Sequence, residues 1–101
     1  MEEKIRISML LQIYGKLLTE KQFEFMDYYY NEDLSLSEIA ENQNITRQAV
    51  REILAKSKNK LEEYEEKVRF YEKINKINSV LDKLEKTNQK EIQEIRKILN
   101  D

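Results

Sequence analysis

The stretch "LSLSEIAENQNITRQAVREI", residues 34–53, decides the fold. Its Ser35-Leu-Ser-Glu38 has the spacing of a capping box, in which the serine hydroxyl accepts from the backbone N–H three residues on and the glutamate accepts from the serine N–H. A short helix therefore opens at Ser35 and turns Leu36, Ile39 and Ala40 inward. Gln43 and Asn44 end it, because asparagine is the non-glycine residue that best tolerates the left-handed backbone a tight turn requires. Thr46 caps a following helix, which leaves Gln43 to Ile45 as the turn. Ala40 is small where the second helix crosses closely, and Ile39, Ile45, Val50 and Ile53 supply the apolar wedge that fixes the angle between the two. Two helices joined in this way form a helix-turn-helix.

Opposite the Val50 and Ile53 side, near the start of the second helix, stand Thr46, Arg47, Gln48, Arg51 and Glu52. Those are the positions from which such a helix reaches base edges in a DNA major groove. Arginine pairs bidentately with guanine and glutamine with adenine, while Thr46 and the helix N-terminus suit a phosphate. Glu52 is discordant: a carboxylate repels phosphates and helps only by accepting from cytosine N4 or by orienting an arginine. Lys56, Lys58 and Lys60 follow as candidates for the sugar-phosphate backbone. Charge is segregated accordingly. Residues 46–60 carry five basic side chains against one acid, net +4, whereas residues 19–45 carry one lysine against seven acids, net −6. A patch of that size makes few phosphate contacts, so one subunit binds modestly and pairing of two subunits strengthens it. A solvated Arg/Gln face on a helical bundle is the alternative meaning of the same residues.

Composition sets the frame around this motif. A chain of 101 residues, 40% hydrophobic and with net charge −2, supports one modest core plus an appendage. With no proline, one glycine and 38% charged residues, it favours long helices and lacks the turn residues of a sheet, so the expected class is all-α. No apolar run approaches the ~20 residues of a membrane span, and no signal-peptide pattern opens the chain, so no membrane association and a cytoplasmic location are expected. The absence of cysteine and histidine removes disulfides, thiolate metal sites, the commonest metal ligand and the usual general base at neutral pH. No cofactor and no enzymatic activity are expected.

Elsewhere the periodicity predicts a first helix over Glu3 to Leu18, with Ile5, Met9, Ile13 and Leu17 as its apolar line and Leu10 and Leu18 beside it. Thr19-Glu-Lys-Gln22 is a second capping box, opening a helix to about Tyr30 that buries Phe23, Met26 and Tyr30, flanked by Phe25 or Tyr29. The run Tyr28-Tyr-Tyr30 points three ways, and core packing is the expected use for two of the three. The helix after Thr46 uses Ala49, Val50, Ile53, Ser57, Leu61 and Tyr64 as one face and has no sequence reason to stop before about Tyr71. From Leu61 the three-and-four spacing of a coiled-coil seam continues through Val68, Tyr71, Ile74, Ile77, Leu81 and Leu84, then Ile92, Ile95 and Leu99. A register shift between Tyr71 and Ile77, near Asn75 and Asn78, predicts a bend or helix break there, with a second weak point at Thr87 to Lys90. The expected organisation is a helix-turn-helix domain over residues 1–73 and a C-terminal helical extension over 74–101, serving homodimerisation or folding back.

"LTEKQFEFMDYYYNEDLSLSEIAENQNITRQAV", Leu18 to Val50, followed by "LEEYEEK", Leu61 to Lys67, resembles the YlxM-type helix-turn-helix proteins of bacteria. More distantly, the segment resembles the fourth region of bacterial sigma factors, the part that reads the promoter −35 element. The first resemblance implies an all-helical protein whose gene lies beside those of the signal recognition particle, with a role in or over that pathway. The sigma-like resemblance implies that Thr46, Arg47, Gln48 and Arg51 hold recognition-helix positions. The rest of a sigma factor is missing, so no polymerase recruitment follows. Three functions compete on this basis: a DNA-binding regulator on double-stranded DNA, a factor acting on particle RNA or protein, and a helical adaptor that binds only protein.

Overall fold

A computed structural model describes residues 2–100, whose regular elements are all helices, with no strand: α1 (Glu2–Tyr14), α2 (Glu20–Tyr30), α3 (Leu36–Gln43), α4 (Arg47–Val68), α5 (Phe70–Leu84) and α6 (Gln89–Asn100), with a short 3-10 turn (Gly15–Leu17) between α1 and α2. The class is all-α, as the composition requires. Two compact units divide the chain, one reaching Tyr71 and the other starting at Glu72.

In the first unit, α1 to α4 enclose one core of Ile7, Leu10, Leu11, Tyr14, Leu18, Phe25, Met26, Ile39, Ala40, Val50, Leu54 and Leu61. Local chemistry starts each of its helices after the first. Thr19 Oγ1 accepts from the Gln22 N–H at 3.1 Å, and the Gln22 side chain accepts from the Thr19 N–H. Ser35 and Glu38 repeat the reciprocal pair at 3.0 and 2.9 Å. Asn44 follows α3 at φ 56°, ψ 46°, in the left-handed region, and its neighbour Ile45 donates to the Ala40 carbonyl at 3.0 Å. Asn44, Ile45 and Thr46 then carry the chain into α4. Within the wedge, Ile39 and Val50 are fully buried and Ile45 and Ile53 half-buried.

The α3 box makes stability depend on acidity. The Glu38 carboxyl lies below the ordinary carboxylate range because the Ser35 backbone N–H, and then its hydroxyl, bond to the charged form. A lowered folded-state value contributes stability that is complete above the unfolded value near about 4.3 and fades as pH falls through the folded one. Ser35→Ala is expected to cost about 1 kcal/mol at neutral pH. In thermal melts the gap between Glu38→Ala, which removes the carboxylate, and the parent should narrow below pH 4; a constant gap would detach the Glu38 charge from the cap.

Several faces differ from the sequence expectation. In α1 the buried line is Ile7, Leu10, Leu11 and Tyr14, while Ile5 is 61% exposed and Met9 is exposed too; Leu17, in the 3-10 turn, is likewise exposed. Both lines obey helical spacing, because this helix is apolar on nearly all sides, and neighbours choose between them. The helix also ends earlier than predicted, at Tyr14, where the chain tightens into its 3-10 turn. Gly15 has no room for more: a Cβ there would stand 2.7 Å from a ring carbon of Phe23. Phe23 itself lies on the exposed side of α2, and Phe25 and Met26 are the buried pair, with Tyr28, Tyr29 and Tyr30 all half-buried. In α4 the buried line includes Leu54, while Ala49, Ile53 and Tyr64 are half-buried flankers. The helix stops at Val68, since Arg69 takes φ 56°, ψ 30°.

In the second unit, α5 runs unbroken through Asn75 and Asn78, where a bend was predicted, and the Asn78 side-chain oxygen accepts from Arg96 at 3.1 Å. The turn comes at residues 85–88, overlapping the second predicted weak point, Thr87 to Lys90. Arg96 of α6 also bonds Asp82 at 2.6 Å and lies 3.7 Å from Glu85, so the two helices meet through one guanidinium. Leu81 and Ile92 are buried, whereas Ile77, Val80, Leu84, Ile95 and Ile98 are exposed.

Candidate nucleic-acid interface

The first turn of α4 is built by Thr46, whose Oγ1 accepts from the Ala49 N–H at 3.0 Å while its backbone is extended at φ −79°, ψ 157°. One lone pair is thereby committed, and the hydroxyl proton stays available to an outside acceptor. The Arg47 and Gln48 N–H groups ahead of Ala49 have no partner within the helix and face outward, as at any helix start.

Side-chain directions follow from the buried line Val50, Leu54, Ser57, Leu61 and Glu65. At about 100° per residue, Gln48, Glu52, Ala55 and Asn59 run down the middle of the opposite face. Arg47 and Arg51 flank that midline on one side, one turn apart, and Lys56 and Lys60 flank it on the other. All of these are exposed, as is Thr46. Among the described residues, no ion pair involves Arg47, Arg51, Lys56 or Lys60. The arrangement is a neutral-to-acidic centre with a basic rail along each edge.

Lys58 is placed differently from its two lysine neighbours. It lies on the Arg47 and Arg51 side, half-buried, with its ammonium on the Glu3 carboxylate of α1. The hydrogen bond to Glu3 raises the Lys58 pKa and lowers that of Glu3. Arg6 of α1 holds Glu62 of α4 in the same way and stands over the Tyr71 ring at 6.0 Å. Sequence spacing gave no sign of these pairings, whose members lie 55 and 56 residues apart. A third cross-link joins α1 to α4 at the far end: the buried Tyr14 hydroxyl donates to Glu65 at 2.7 Å. The tyrosine run packs against the core edge rather than standing clear, with Tyr29 and Tyr30 edge to face at 5.0 Å.

The sequence model of a family described as "Putative helix-turn-helix protein, YlxM / p13 like" matches residues 1–100. The UPF0122 protein of Clostridium perfringens (strain SM101 / Type A) is 49% identical over 76 residues, covering 75% of this chain and 68% of its own length. The UPF0122 protein of Clostridium kluyveri (strain NBRC 12016) is 54% identical over 72 residues, 71% of this chain and 65% of its own. That of Malacoplasma penetrans (strain HF-2) is 51% identical over 71 residues, 69% of this chain and 65% of its own. The matched stretch thus spans about two thirds of the length of these relatives. With the α3–turn–α4 geometry in place and the family model matching over residues 1–100, the chain belongs to the YlxM/p13-like helix-turn-helix family.

Proposed function

We propose that this chain is a DNA-binding regulatory protein that lays α4 in the major groove, acting by binding rather than by catalysis. The observation that carries the reading is the exposed, ion-pair-free set on α4: Thr46 at the cap, Arg47 and Arg51 on one edge, Lys56 and Lys60 on the other, and Gln48 with Glu52 between them. A helix of about 10–12 Å diameter fills a groove about 12 Å wide, so its two edges meet phosphates of opposite strands while the midline faces base edges. Arg47 and Arg51 are long enough to turn inward to guanine, and Glu52 limits the midline to bases that present an amino group. Lys58 contributes to the backbone contact only by exchanging Glu3 for a phosphate.

The proposal includes a homodimer acting in the cytoplasm. One short reading helix with local charge +4 is too little for tight selective binding, and two-fold pairing supplies the second half-site. Exposed Ile77, Val80, Leu84, Ile95 and Ile98 provide the apolar surface for it, and light scattering of the full chain should return twice its 12.3 kDa mass. The resemblance to the YlxM-type proteins extends the proposal to the signal recognition particle pathway, through regulation or through contact with its RNA or protein.

Titration against duplex DNA, particle RNA and particle protein at two salt concentrations tests the assignment. Lys56→Ala should weaken all duplexes alike and flatten the salt slope by about one, and Lys58→Ala should flatten it less. Binding to particle RNA or protein with no duplex affinity would replace the DNA reading with the adaptor one.

A further inference from the structure

Helix α4 ends where its sequence does not ask it to. Between Arg47 and Leu84 there is neither glycine nor proline. The seam Leu61, Tyr64, Val68 and Tyr71 keeps its alternating three- and four-residue step straight across the boundary, and shifts register only beyond Tyr71. Yet Arg69 adopts φ 56°, a left-handed backbone in which the Cβ of an L residue crowds its own carbonyl. The break also leaves Val68 50% and Phe70 42% exposed.

What compensates is a buried pair from two other parts of the first unit. Tyr14 is 4% exposed and Glu65 is 8% exposed. The Tyr14 hydroxyl donates to Glu65 Oε1 at 2.7 Å, and the same carboxylate oxygen accepts from the Tyr71 N–H at 3.1 Å. The Tyr14 oxygen in turn accepts from the Phe70 N–H at 3.2 Å. The first two N–H groups of α5, which have no partner within their own helix, are thus both taken by side chains of α1 and α4. In an uninterrupted helix these N–H groups would bond the carbonyls of Glu66 and Lys67 instead. Neither Tyr14 nor Glu65 is used by the proposed DNA contact.

We infer that the α4–α5 boundary is a two-position joint held by the Tyr14–Glu65 clasp. Clasped, Arg69 stays left-handed and a new helix starts at Phe70. Released, Arg69 returns to the right-handed region and the helix of Arg47–Val68 runs on through Phe70 without a break. The joint makes the backbone state of Arg69 depend on how α1 is packed.

NMR of the full chain tests this. Tyr14→Phe keeps the ring and removes the acceptor for Phe70 and the donor to Glu65. The Arg69 Cα resonance should move into the right-handed helical range, and contacts from Glu66 Hα to the Arg69 N–H and from Lys67 Hα to the Phe70 N–H should become those of a continuous helix. Adding Arg69→Gly, a residue at ease in the left-handed region, should restore the parent pattern. Glu65→Gln carries the same test if the tyrosine variant unfolds. In the otherwise unchanged chain, Arg69→Gly should raise the melting temperature. A left-handed Arg69 persisting in folded Tyr14→Phe or Glu65→Gln overturns the joint, and so does a lowered melting temperature in the glycine variant.

Discussion

Val50→Ser lowers the stability of the first unit by about 2–4 kcal/mol, the cost expected when buried apolar volume is removed and a hydroxyl put in its place. Val50 has no solvent exposure and belongs, with Ile39 and Ala40 of α3, to the one core cluster of the first unit. Most of the cost is lost packing rather than a stranded hydroxyl. Ser57, on the same buried line, donates to the Ile53 carbonyl one turn back at 2.7 Å, and a serine at 50 has the Thr46 carbonyl in the equivalent place. Val50→Ala should therefore fall within about 1 kcal/mol of Val50→Ser. Urea unfolding at unchanged slope reads the difference, and an unchanged midpoint would mean that the wedge does not hold the two helices.

Arg51→Ala weakens binding to a preferred duplex by about 1–3 kcal/mol, roughly 5- to 150-fold, while leaving the melting temperature nearly unchanged. The two readouts separate because Arg51 is exposed and takes part in no ion pair among the described residues, so its removal disturbs no fold contact. Its place one turn from Arg47 on the same edge of α4 makes it a base reader in the proposed function. A random duplex should lose far less. Equal loss on preferred and random duplexes would reassign Arg51 to the phosphates.

How much of this was legible depended on how far apart the deciding residues stand. Thr19, Ser35 and Thr46 act on N–H groups three residues away, and Asn44 supplies its own left-handed turn, so the starts of α2, α3 and α4 could be read directly. The inward face of α1 could not. Ile5, Met9 and Ile13 repeat as regularly as Ile7, Leu11 and Tyr14, and only packing against α2 and α4 distinguishes the two. The end of α4 was hidden for a related reason: the residues between Leu61 and Tyr71 favour helix, and the group facing Glu65 is Tyr14, 51 positions earlier. In the candidate site, the exposure of Arg47, Gln48, Arg51 and Glu52 followed from helical spacing once the turn was placed. The pairing of Lys58 with Glu3 did not, because nothing near Lys58 in sequence announces it.

The apolar character of α1 on both faces also bears on synthesis. This helix leaves the ribosome before α4, yet Glu3, Arg6 and Tyr14 find their partners at Lys58, Glu62 and Glu65, 51 to 56 residues later. At about 5–20 residues per second, the wait is roughly 3–10 s. Until α4 emerges, Ile7, Leu10 and Leu11 are as bare as Ile5 and Met9, and the nascent segment offers an adhesive surface on more than one face. A chain released between residues 20 and 45 would keep that surface permanently. Pausing within that window is the stage of production at which this protein is most exposed to aggregation and to capture by chaperones.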